Sequence, residues 1–186
     1  EFRRVLSDLK AGKWAASAPA ETYGKDMIAA AEAAVRAAVG SAMQLRIDEL
    51  NAAGGVHGRR IRLIVEDNAY DPKRAVLAAQ KLVNQDKIFL MAGHIGTAHN
   101  NAAMPVQFEK NVINFLPITA AREMYEPFHK LKYSFAVPYY EQMRVMLPKL
   151  VKDKGAKKVC SIYQDDEFGL EVQRGAEAGL KSINVE

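Results

Sequence analysis

The stretch from Asn51 to Pro72, NAAGGVHGRRIRLIVEDNAYDP, constrains the fold more than any other part of the chain. Glycines at 54, 55 and 58 accept positive φ without a Cβ penalty, which predicts the end of one element and a tight reversal before the next. Ile61, Leu63, Ile64 and Val65 follow as a nearly continuous, mostly β-branched apolar run. Such a run predicts a strand covered on both faces, hence a parallel sheet. Asp71 before Pro72 has the form of an N-cap with proline at the first helical position, and Ala75, Val76, Ala79, Leu82 and Val83 recur behind it at helical spacing. The predicted order is helix, turn, strand, loop, helix.

The same alternation continues. KIFLMAG (87–93) predicts a strand, Thr97 to about Lys110 a helix, VINFLPI (112–118) a strand, and a short helical piece follows near Arg122. YSFAV (133–137) predicts a strand, Glu141 to about Lys152 a helix, KKVCSIY (157–163) a strand and Gly169 to Lys181 a helix, with INVE (183–186) opening a further strand. Strands separated by single helices need crossovers, and crossovers give a doubly wound parallel α/β sheet. Before the first glycines, Tyr23 to Leu50 predicts one helix of about 28 residues.

Composition removes several classes of function. No apolar run approaches the roughly 18 to 20 residues that a membrane-spanning helix needs, and no charged-then-apolar signal peptide opens the chain, so any export signal is expected to be already removed. The net charge of +4 concentrates in PKLVKDKGAKK (148–158), at a predicted helix end where cations complement the dipole; without interleaved aromatics it argues against nucleic-acid binding. The lone Cys160 forms no internal disulfide and is predicted to be a small core hydrophobe.

Ligands of doubly wound sheets bind beyond the carboxyl ends of the strands. Five loops predicted for that rim carry the unusual residues: SAPAETYG (17–24), EDNAYD (66–71), GHIGTAHN (93–100), PITAA (117–121) and QDDEFG (164–169). In the third, the Thr97 hydroxyl and the amides near Thr97 and Ala98 face an incoming anion at a positive helix end; alternatively, Thr97 only caps its own helix. His94 and His99, five apart and with no third ligand, make at best a weak metal site and are predicted to be rim or cap residues. No cofactor motif is present.

LNAAGGVHGRRIRLIVEDNAYDPKRAVLAAQKLVNQDKIFLMAGHIGT, VINFLPIT and KKVCSIYQDDEFGLEVQRG together resemble the type I periplasmic solute-binding proteins of ABC importers, in the branched-chain amino-acid-binding family. The resemblance runs from about Ser17 to Glu186. It implies two α/β lobes hinged around a solute, a permease partner in the inner membrane, a periplasmic location and no catalysis. On that frame 1–14 is an atypical leader, 15–138 is lobe one and 139–186 is the beginning of lobe two.

The resemblance also implies site residues. The Thr97–Ala98 loop would hold the solute carboxylate. Ile118, Thr119 and Ala120 would supply the second loop, where a carbonyl and a hydroxyl grip the solute; Ala120 stands where the family has threonine. Phe168 replaces a family tyrosine, and Tyr140 lies with Tyr139 and Glu141 at the lobe crossing, where the family often carries an aspartate for an amino acid's ammonium. Each aromatic also fits simple core packing. With only a displaced Glu141 to meet an ammonium, an aromatic or other apolar carboxylate is expected ahead of leucine, isoleucine or valine. A receptor's ligand-sensing domain would use the same lobes. An enzyme on this architecture is the remaining alternative, but no nucleophile elbow, His-Glu-x-x-His or phosphate loop is present.

Overall fold

The computed structural model describes residues 20–185. The leader at 1–14 and the front of SAPAETYG lie outside the described residues. The chain divides into two compact units, Glu1–Val65 and Glu66–Glu186.

The first unit contains helix α1 (Ala20–Ala52, 33 residues). It is longer than expected and absorbs Ala20 to Gly24, which the sequence assigned to a rim loop. One glycine at 24 costs a helix only about 1 kcal/mol, little against the alanine-rich run behind it. The helix stops at Gly54 and Gly55, whose φ values are 100° and 77°. A Cβ on Gly55 would come 2.2 Å from the Arg59 carbonyl oxygen. Beyond this turn the Asn51 side-chain amide bonds both the N–H and the C=O of Ile61, each at 2.8 Å. Residues 61–65 join no ladder, contrary to expectation, and Val65 is 65% exposed. An apolar strand holds its form only between neighbours that complete its hydrogen bonds, and none flanks this one among the described residues.

In the second unit, α2 (Pro72–Gln80) starts as the sequence predicts. The Asp71 carboxylate accepts the Arg74 N–H at 2.8 Å, with Pro72 in the first turn. The helix runs on into a π turn, Lys81–Gln85, and buries Ala75, Ala79, Leu82 and Val83. Next come β1 (Leu90–Ala92), α3 (Thr97–Glu109), β2 (Ile113–Phe115), a 3-10 turn (Arg122–Met124) and β3 (Lys132–Tyr133). The three strands form a parallel sheet in the order β1-β2-β3, with Leu90 beside Ile113 and Phe115 beside Tyr133. The α/β class with a parallel sheet is as read from the sequence, though each strand is shorter than its apolar run.

Two helices complete the unit, α4 (Tyr139–Lys154) and α5 (Glu167–Lys181). They pack closely because α5 presents glycines. A Cβ on Gly175 would lie 2.4 Å from the Tyr140 carbonyl oxygen, and one on Gly179 would lie 2.9 Å from that of Arg144. Lys152 and Lys154 occupy the last turn of α4 before the left-handed Gly155, so the basic run is a helix end as expected. The segment 157–163 between these helices is not a strand, and no strand begins at 183–185. Cys160 is exposed rather than buried, and Ile162 is 82% exposed. A run without a ladder has no covered face to bury its apolar side chains.

Candidate functional site

The site grows out of the parallel pairing of β1 and β2. Beyond the strand ends the pairing continues into the loops: Ile95 bridges Ile118, the Ile118 N–H donates to the His94 carbonyl at 2.9 Å, and the Gly96 N–H donates to the Ile118 carbonyl at 3.3 Å. Two loops thus run side by side and deliver Thr97 and Thr119 face to face, their hydroxyl oxygens 2.7 Å apart. Both are buried, at 1% and 5% exposure. Thr119 Oγ1 also accepts the Ala121 N–H at 3.3 Å. Gly96, not Thr97, is the N-cap of α3, and no side chain caps that helix. The hydroxyl of Thr97 therefore faces a partner loop rather than its own helix end. The amides of the first turn of α3 have no intrahelical acceptor and give this spot a positive field.

A polar network fixes the loop. Asn100 Nδ2 donates to the carbonyls of His94 and Gly96 at 2.8 and 2.7 Å, and Asn114 Nδ2 of β2 donates to Asn100 Oδ1 at 3.1 Å. His99 is neither a rim nor a cap residue. It is 1% exposed, both ring nitrogens lack hydrogen-bond partners, and its ring lies 4.0 Å from that of Tyr70. The imidazole fills the space that Gly96 leaves, since a Cβ there would meet His99 Nδ1 at 2.2 Å. His94 is half-buried, with Nε2 3.3 Å from Asn68 Nδ2. Burial, reinforced by the nearby His99, lowers its pKa to about 4. Among the described residues no group of three metal-ligating side chains occurs.

The loop after Thr119 is tied to both later helices. The Tyr139 N–H, at the start of α4, donates to the Ala120 carbonyl at 2.8 Å. Arg122 reaches the carboxylate of Glu171 on α5 through Nε (2.9 Å) and Nη2 (3.2 Å), while its own backbone N–H donates to Glu171 Oε1 at 3.3 Å. The guanidinium lies 4.3 Å from the centroid of the Tyr140 ring, and the bond to Glu171 raises the Arg122 pKa. Tyr139 meets Phe168 edge-on, centroids 5.1 Å apart.

A family model described as periplasmic binding protein matches residues 37–186. The chain belongs to the periplasmic binding protein family. An amino acid binding protein of Pseudomonas aeruginosa is 30% identical over 74% of this chain and 37% of its own length. The Leu/Ile/Val-binding protein of Escherichia coli K12 is 24% identical over 92% of this chain and 43% of its own length. The chain therefore spans well under half the length of these curated relatives. Among solved structures, a substrate-binding periplasmic protein from Ralstonia solanacearum superposes with a TM-score of 0.70 at 26% identity, covering 76% of this chain and 40% of that one. The relatives are binding proteins by name, not enzymes.

On this periplasmic-binding-protein frame the structure brings five of the sequence-derived candidates to one end of the paired loops: Thr97 and Ala98 open α3, and Ile118, Thr119 and Ala120 lie in the loop beside it. Tyr140 and Phe168 open α4 and α5 and join that cluster through Arg122 and Tyr139. Around this cluster the Ala120 carbonyl accepts the Tyr139 N–H, and Glu141 pairs with Arg144 at 2.6 Å on the surface. The acid that sequence reasoning missed is Glu171, 1% exposed. Its one sequence signal was helical spacing, since Glu171, Gly175 and Gly179 fall on one face of α5.

Proposed function

We propose that this chain is the lobe-one part, with the start of lobe two, of a periplasmic solute-binding protein that hands a small apolar carboxylate to an ABC permease in the inner membrane. Residues 15–138 form the first lobe in this reading and 139–186 begin the second. The observation that carries it is the convergence of the Thr97 and Thr119 hydroxyls at the N-terminal end of α3. Hydroxyls and first-turn amides at a positive helix end suit a carboxylate. Membership of the family supports the periplasmic location and the transport role.

Two acids among the described residues bear on the solute class. Glu171 is buried against Arg122, and Glu141 forms an exposed pair with Arg144 on the surface of α4. An ammonium buried without a carboxylate is strongly disfavoured. An aromatic or other apolar acid, stacked near Phe168 and Tyr140, fits better. Leucine, isoleucine and valine form the second reading, favoured by the name of the E. coli relative. Calorimetric titration of the full-length protein decides between them: benzoate or 3-phenylpropanoate binding at micromolar concentration with no response to leucine is expected. Leucine binding alone returns the protein to the amino-acid branch, and binding of none of the three overturns the carboxylate reading.

A further inference from the structure

Glu171 is buried, yet its charged partner Arg122 has a side chain 38% exposed. Such a pair is a weak source of stability, because a buried carboxylate loses its hydration and an apolar residue in its place often serves as well. Its geometry is informative instead. The Arg122 backbone N–H and both guanidinium contacts converge on one carboxylate. Arg122 follows the Thr119–Ala121 segment directly, and its guanidinium covers the Tyr140 ring. One carboxylate on α5 therefore sets the exit of the loop that carries Thr119 and, through Arg122, the orientation of Tyr140. A charged, bidentate contact fixes direction in a way that an apolar contact does not.

We propose that Glu171 is a positioning residue of the solute site, holding the Thr119–Ala121 loop and Tyr140 in register through Arg122. This rests on the proposed function. Because Arg122 and Glu171 act as one unit, removing either should have the same consequence as removing both.

The test is calorimetry on the full-length protein with leucine, benzoate and 3-phenylpropanoate, alongside melting temperatures. Glu171→Gln and Arg122→Gln should each weaken whichever probe the wild type binds by about tenfold or more, and the double variant should be no weaker than the worse single one. Arg122→Lys keeps the charge and loses the fork, so it carries the test if Glu171→Gln does not fold; a fivefold or greater loss of affinity is expected, by about the loss of one charged hydrogen bond. Lowered melting temperatures with affinities unchanged within a factor of about two, or losses that multiply in the double variant, overturn the proposal while leaving the solute-binding function intact. A wild-type protein that binds none of the probes overturns the function and this inference with it.

Discussion

The hydroxyls of Thr97 and Thr119 lie 2.7 Å apart although 22 positions separate them in the chain. Neither caps a helix, and each is almost fully buried. Thr97→Val should therefore weaken carboxylate binding by about 1 to 3 kcal/mol, the range for a hydrogen bond to a charged group, while costing about 1 kcal/mol of stability. Calorimetry and urea denaturation of the same variant separate the two. A stability loss of about 1 to 3 kcal/mol with affinity untouched would reduce the pair to a structural contact.

The His94 imidazole predicts acid sensitivity. Its pKa is lowered in the folded state, from 6.5 to about 4. Between those values the unfolded chain binds a proton that the folded chain does not, so stability falls as pH drops through this window, by up to about 3 kcal/mol. Above pH of about 6.5 the full contribution is present. Urea unfolding at pH 7.5 and 4.5 should show the loss, and His94→Gln should remove most of it. An identical pH dependence in the variant would assign the effect to other groups.

Two glycine substitutions should act in opposite directions. Gly40 sits inside α1 with nothing within 4 Å of a built Cβ, so Gly40→Ala should stabilise by about 0.5 to 1 kcal/mol. Gly175→Ala drives a methyl to 2.4 Å from the Tyr140 carbonyl, which is backbone and cannot rotate away. A loss of about 2 kcal/mol or more is expected, with α4 and α5 forced apart. Thermal melts of the two variants give the signs directly, and a neutral Gly175→Ala would mean that the helices pack less closely than described.

Cys160 is exposed in a segment that joins no ladder. In the 186-residue chain its thiol should react with an aromatic disulfide reagent at close to the rate of an unfolded peptide. A rate slowed a hundredfold or more would indicate that 157–163 is covered, as the sequence alone predicts.

Most of what was legible in the sequence depends on neighbours along the chain. Asp71 and Pro72 specify a helix start because the cap acts over three residues. Gly54 and Gly55 end α1 because positive φ is a property of the residue itself. The order of helices, the parallel sheet and the loops that bear Thr97 and Thr119 follow from such local rules together with apolar periodicity.

Tertiary structure decided what depends on contacts between distant residues. The runs at 61–65 and 157–163 have strand-like composition, but a strand exists only when a neighbour supplies its hydrogen bonds, and among the described residues none does. Cys160 is exposed for the same reason. Glu171 and Arg122 are 49 positions apart, and only the packing of α5 beside the loop after β2 turns one acid among many into the buried partner of an arginine. Thr97 and Thr119 meet because two parallel strands in register end at the same level, a relationship set by the sheet and absent from either loop alone.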